Sequence, residues 1–160
     1  MARTTTEHTI IAEQGPGHTI RLENEGTDAI MPGHLLEVHT DEKWIKHAEA
    51  GAPAFLIALE TETPDTAQYP TTAKIDIPYA NGERVYGAQI KTGQVYNVWL
   101  ADGENVVKGR SILISDGAGR CKSAGTGNVA IGTTNPVFVA WEDNNNSGGG
   151  TAVRCLARAL

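Results

Sequence analysis

Hydrophobic and polar positions alternate along much of this chain with the period of a strand, and seldom with that of a helix. Residues 18–25 place Ile20 and Leu22 on one face and Thr19, Arg21 and Glu23 on the other, as a half-buried strand would. A second strand is expected at 35–39, after the Pro32-Gly33 turn. Residues 54–59 are a continuous apolar run of strand length, which predicts a strand buried on both faces. Ile75-Asp76-Ile77 alternates, and Asn81-Gly82 between strand-like flanks predicts a hairpin over 79–86. Val95, Asn97 and Trp99 oppose Tyr96, Val98 and Leu100 on the next strand, after the Thr92-Gly93 turn. Further strand-like pieces lie at 112–115, 128–132 and 136–141, and 151–160 can supply a last strand that closes the sheet.

The chain also looks duplicated, and internal repeats constrain a fold more than any single element does. The turn, apolar pair, glycine and apolar run of 103–120 have a weaker copy beginning at Glu25. Pro53-Ala54-Phe55-Leu56-Ile57-Ala58-Leu59-Glu60 answers Pro136-Val137-Phe138-Val139-Ala140-Trp141-Glu142-Asp143, and Thr19 sits where Tyr96 sits in the later copy. Residues 40–51, taken alone, have the N-cap, early acids and terminal glycine of a short helix. Their counterpart, 115–125, is too glycine-rich for a helix, so a hairpin is expected in both places. The prediction is an all-β fold with little or no helix: a small barrel or β-tulip-like domain over 18–160. It is built from two related halves, about 18–60 and 94–143, linked by 61–93.

Composition agrees with this. A chain of 160 residues is long enough for one domain with a real core, and its 18 Gly and 7 Pro suit short strands and tight turns. The formal charge of −6, with acids and bases interspersed, leaves no basic stripe for phosphates, so direct nucleic-acid binding is not expected. No apolar run approaches the roughly 20 residues of a membrane span, and the N-terminus lacks the apolar core of a signal peptide. No membrane is expected as a partner, and synthesis in the cytoplasm is. Cys121 and Cys155 read as small buried hydrophobes in a reducing compartment.

Residues 1–17 read either as a flexible arm or as a frayed terminus. Thr4, Thr5 and Thr6 and the apolar Ile10 and Ile11 precede the break at Gly15-Pro16-Gly17. Such an arm could add a strand to a neighbour's sheet edge. Candidate chemistry is sparse. Gly125-Thr126-Gly127-Asn128 lacks the helix a dinucleotide turn requires and reads as an ordinary turn. His34, His39 and His47 have no partner at a zinc spacing and read as surface histidines. Asp143 and the asparagines after it lack the terminal acid of a calcium loop. No nucleophile elbow or flagged carboxylate pair is present. No metal, cofactor or catalytic residue is therefore expected, and the chain reads as a non-enzyme. Trp44, Trp99 and Trp141, with Tyr79, Tyr86 and Tyr96, suit either packing or a sugar site.

The run Ile75-Asp76-Ile77-Pro78-Tyr79 into Asn81-Gly82, then Tyr96-Asn97-Val98-Trp99-Leu100-Ala101-Asp102-Gly103-Glu104-Asn105-Val106-Val107 and on to Gly119, resembles the capsid decoration (cement) proteins of tailed bacteriophages. So does Pro32-Gly33-His34-Leu35-Leu36-Glu37 followed by Lys46-His47-Ala48-Glu49-Ala50-Gly51. The resemblance covers roughly residues 17–143 and lies in the order of short pieces. It implies a small β-barrel or β-tulip, commonly a homotrimer, on the outside of the mature virion capsid. There it would hold major capsid protein subunits together. On that reading Thr4, Thr5, Thr6, Ile10 and Ile11 are the capsid-binding residues, and Trp44, Tyr79 and Tyr86 are oligomer or surface contacts. The alternative is a carbohydrate- or receptor-binding β module displayed on a virion, with Trp44 and Trp141 as an exposed platform.

Overall fold

A computed structural model of the chain describes residue 10 and residues 19–26, 28–61, 72–124, 135–146, 148 and 150–160. Thr4, Thr5, Thr6 and Ile11 lie outside the described residues, as do the turn at 125–128 and the strand expected at 128–132. The described chain is all-β. Its strands are β1 (Thr19–Glu23), β2 (Leu35–Val38), β3 (Trp44–Lys46), β4 (Leu56–Ala58), β5 (Arg84–Gln89) and β6 (Val95–Leu100). There follow β7 (Asn105–Val106), β8 (Ile112–Ser115), β9 (Cys121–Ser123), β10 (Phe138–Ala140), β11 (Asn144–Asn145) and β12 (Val153–Ala159). One 3-10 turn, Lys74–Asp76, is the helical content among the described residues.

The strands fall into two units with one topology. The first is a five-stranded sheet in the order β1-β5-β4-β2-β3, and the second is a closed barrel that runs β6-β12-β10-β8-β9. Corresponding strands take corresponding places. The barrel closes through a parallel pair, Leu100 with Cys121, and Ala101 N–H donates to the Cys121 carbonyl at 2.7 Å. In the first unit Asn24 and Trp44 form a parallel bridge, and Glu25 N–H donates to the Trp44 carbonyl at 2.9 Å. Even the small accessory pairing is repeated, as Ile30 with Tyr79 and as Val106 with Asn144. The chain is thus two related halves, as its sequence suggests.

The halves differ from the sequence reading in extent and register. Strand β5 belongs to the first unit, so that unit runs through most of the segment expected to link the halves. Strand β12 completes the second. Leu36 pairs with Leu56 and Leu113 with Phe138, which aligns Leu56, not Phe55, with Phe138. Likewise Ile20 pairs with Gly87 and Tyr96 with Ala157, which aligns Ile20, not Thr19, with Tyr96. A slip of one residue exchanges the faces of a strand. Phe55, read as interior, is accordingly 67% exposed.

The hairpin expected over 79–86 is instead a turn between two different pairings. Tyr79 pairs with Ile30, whereas β5 pairs with β1 and β4. Residues 40–51 are not a hairpin by themselves: they supply the turn and the second strand, β3, of a hairpin whose first strand is β2, with Val38 opposite Trp44, and β8 and β9 pair likewise with Ser115 opposite Cys121.

One core serves both units. Leu35, Ile57 and Ala88 of the first lie in the same apolar cluster as Tyr96, Leu100, Leu113 and Phe138 of the second, and fully buried Ile10 joins them. Cys121 and Cys155 are buried in this cluster and are not joined in a disulfide. A second cluster, inside the first unit, contains Leu36, Trp44, Tyr79 and Val85. Main-chain bonds lock the units together: Leu35 N–H to the Gly119 carbonyl at 2.7 Å, Gly119 N–H to the His47 carbonyl at 3.1 Å, and Gly51 N–H to the Ser115 carbonyl at 2.9 Å. Gly119 permits this approach. It has a φ of +74°, and a Cβ there would lie 3.1 Å from Lys46 Cβ and 3.2 Å from the Leu35 carbonyl oxygen.

Candidate functional site

The residues expected to make outside contacts are placed mostly inside. Ile10 donates its N–H to Glu60 Oε2 at 3.1 Å and accepts from Asn97 N–H at 2.7 Å, and its side chain is fully buried. An apolar anchor meant for a neighbour is therefore used within this chain. Trp44 is fully buried over Gly87, and Tyr79 is buried with its hydroxyl donating to the Leu59 carbonyl at 2.9 Å. Burial pushes the Tyr79 hydroxyl above its ordinary range. Of these three aromatics, Tyr86 alone reaches the surface, where the Arg21 guanidinium lies 4.5 Å from its ring centre. A platform of Trp44 and Trp141 does not form, because Trp44 belongs to the core. Trp141 is half-buried, with the Arg158 guanidinium 4.9 Å and Lys108 Nζ 5.4 Å from its ring centre.

The histidines do not gather at one point, and two of them are not on the surface. His47 is buried between the units, with Nδ1 2.8 Å from Ser115 Oγ and Nε2 3.0 Å from the Pro53 carbonyl oxygen. Because that carbonyl only accepts, Nε2 carries a proton. His39 is exposed, 2.7 Å from Asp41. Glu25, His39 and Asp41 could each offer a ligand atom within 4.8 Å of the others. Lys43 already neutralises that group, however, at 2.7 Å from Glu25 and 3.9 Å from Asp41. It is an ion-pair network. The asparagines after Asp143 are structural too. Asn144 Nδ2 donates to the Arg154 carbonyl at 3.0 Å, and Asn146 Nδ2 to the Thr151 carbonyl at 2.7 Å.

Among the described residues, a cleft of about 350 Å³ lies between the units. The first unit contributes Met31, His34 and Lys46, and the second contributes Trp99, Arg120, Ala118 and Ala152. Trp99 is held rigidly. Its indole N–H donates to the Pro32 carbonyl at 2.9 Å, and the Arg154 guanidinium stacks 4.4 Å from its ring centre. Arg154 in turn donates to the carbonyls of Pro32 and Ile75 and pairs with Asp76 at 3.4 Å, so the second unit grips the first. Its partial burial lowers the guanidinium's pKa.

His34 forms the floor beside Trp99, with ring centres 6.2 Å apart. Its Nδ1 accepts from Met31 N–H at 3.1 Å, which puts the proton on Nε2. Burial first, and then the positive charges of Lys46, Arg154 and Arg120 against the opposing charge of Asp116, lower its pKa from 6.5 to about 3. The imidazole is neutral at physiological pH. The sequence reading missed this site because His34 was judged alone. Set beside its repeat counterpart Ser111, it would have shown itself as a turn-capping position.

No protein-family model matches the chain, and no curated protein is significantly similar to it.

Proposed function

We propose that the chain is a structural virion protein of the tailed-bacteriophage decoration type, a non-enzyme that binds the outside of the mature capsid. In this role it ties neighbouring major capsid protein subunits together, as a homo-oligomer, most simply a trimer. The resemblance of its ordered motifs to cement proteins supports this reading. The observation that carries it is the union of two related units into one body by main-chain bonds and a shared core, with apolar side chains, Phe55 and Leu160 among them, left exposed. Phe55 is 67% and Leu160 52% exposed, and both are tied to the crossover between the units. Ile90 N–H donates to the Phe55 carbonyl at 2.8 Å, and Thr92 Oγ1–H donates to the Leu160 carbonyl at 2.9 Å.

Stiffness matters for a cement protein. A body that is already ordered loses little entropy on docking, and repeated modest contacts across a lattice gain avidity of about 100-fold or more when the geometry matches. The test is co-sedimentation with mature capsid shells. The wild type should pellet with the shells, while Phe55→Asp/Leu160→Asp should remain folded and stay in the supernatant. Equal pelleting of the double variant would remove these apolar residues from the contact, and failure of the wild type to pellet would remove the function.

A further inference from the structure

The two units act as an internal control for the cleft between them. In the second unit Ser111 Oγ accepts the Val107 N–H at 2.9 Å, and in the first His34 Nδ1 accepts the Met31 N–H at 3.1 Å at the equivalent place. A serine therefore meets the structural demand of this turn. The histidine adds a second ring nitrogen, and His34 is 8% exposed with Nε2 lacking a hydrogen-bond partner among the described residues. His34 is one of the residues that line the cleft. Trp99 has no aromatic counterpart either, since the equivalent residue of the first unit is the exposed Glu23; its indole N–H is used on Pro32, and the residue lines the cleft.

We propose that this cleft binds a carboxylate, with His34 Nε2–H as donor, Lys46 and Arg120 supplying positive charge, and Trp99 and Met31 meeting the ligand's carbon skeleton. The His34 Nε2–H and the N–H groups of Lys46 and Arg120 are all donors, so the cleft calls for an acceptor, and the two cations favour an anionic one. The choice among anions follows from what the cations already do. Lys46 Nζ is 3.2 Å from Asp28, and Arg120 Nε donates to Asp116 at 2.7 Å. Both are partly neutralised, so a singly charged ligand fits better than a phosphate dianion. The remaining guanidinium N–H groups of Arg120 match a planar carboxylate. The neutral imidazole donates without needing to be protonated, so binding persists at neutral pH. None of this depends on the capsid reading, because the ligand carboxylate is the same chemistry whether it belongs to a free acid or to an Asp or Glu of a partner.

The experiment is an NMR titration at pH 7 and constant ionic strength, following the His34 imidazole and Trp99 indole nitrogens. Sodium acetate, sodium phosphate and acetamide are the probes, alongside a capped Gly-Glu-Gly peptide and its Gln counterpart. Acetate and the Glu peptide should give saturable shifts at both residues, and acetamide and the Gln peptide should not. Tighter binding of the Glu peptide assigns the ligand to a protein side chain, and tighter binding of acetate assigns it to a free acid. His34→Ser, which copies the other unit, should keep the dispersed spectrum and bind about tenfold more weakly or worse. Arg120→Gln, outside the turn, should also weaken binding. Linear unsaturated shifts, equal response to acetamide, preference for phosphate, or unchanged affinity in both variants would overturn the assignment.

Discussion

His34 carries a pH dependence that its serine counterpart lacks. Its pKa falls from 6.5 to about 3 on folding, because burial and the nearby Lys46, Arg154 and Arg120 outweigh Asp116. Between those values the unfolded chain binds a proton that the native protein does not, so stability falls as pH drops through that window and is unaffected above it. His34→Ser should therefore lose less stability than wild type between pH 7 and pH 4, measured as the shift in urea midpoint; equal shifts would show that the imidazole is not neutral in the fold. Trp44 and Gly87 form a second residue-scale pair. A Cβ on Gly87 would lie 2.8 Å from Trp44 Cζ2, whereas the equivalent pair in the barrel is Cys121 with Ala157. A large side chain is matched with a glycine in one unit, and two small residues hold the equivalent positions in the other. Gly87→Ala should cost about 1–3 kcal/mol by overpacking, read by chemical denaturation. A neutral result would show that the indole has room to move.

At the scale of elements, the strands were largely legible because alternation and turn residues are local signals. The turn and strand within 40–51 were legible only through the repeat, since the segment's own residues favour a helix. Register was not legible. Apolar runs such as 54–59 align equally well one residue either way, and only the partner strand decides which face is inside. The site was hidden for a similar reason, because His34, Trp99 and Arg120 meet across two units and no local spacing links them. Ile10 shows the same limit, as an apparent arm residue whose partners Glu60 and Asn97 are distant in sequence. Ile10→Ala should cost about 2–5 kcal/mol, as a cavity in a shared core does. Burial also pushes the Cys121 thiol well above its ordinary range. Both cysteines should resist thiol reagents in the native protein and react on unfolding, and rapid native labelling would contradict their place in the core.

At the scale of the molecule, the duplication explains how the body is joined. Each unit repeats one strand order, and the glycine-rich hairpin of the second lies against the first, so main-chain bonds and one core cross the junction. His47 with Ser115, and Arg154 with Pro32, Ile75 and Asp76, add polar links there. A body joined in this way suits the proposed adhesion between neighbours in a lattice. The most direct measurement is a cryo-EM comparison of mature capsids with and without this protein. The decoration reading predicts added double-barrel density on the outer surface, bridging adjacent capsid subunits through Phe55 and Leu160. Identical maps, or density confined to the capsid interior, would contradict it.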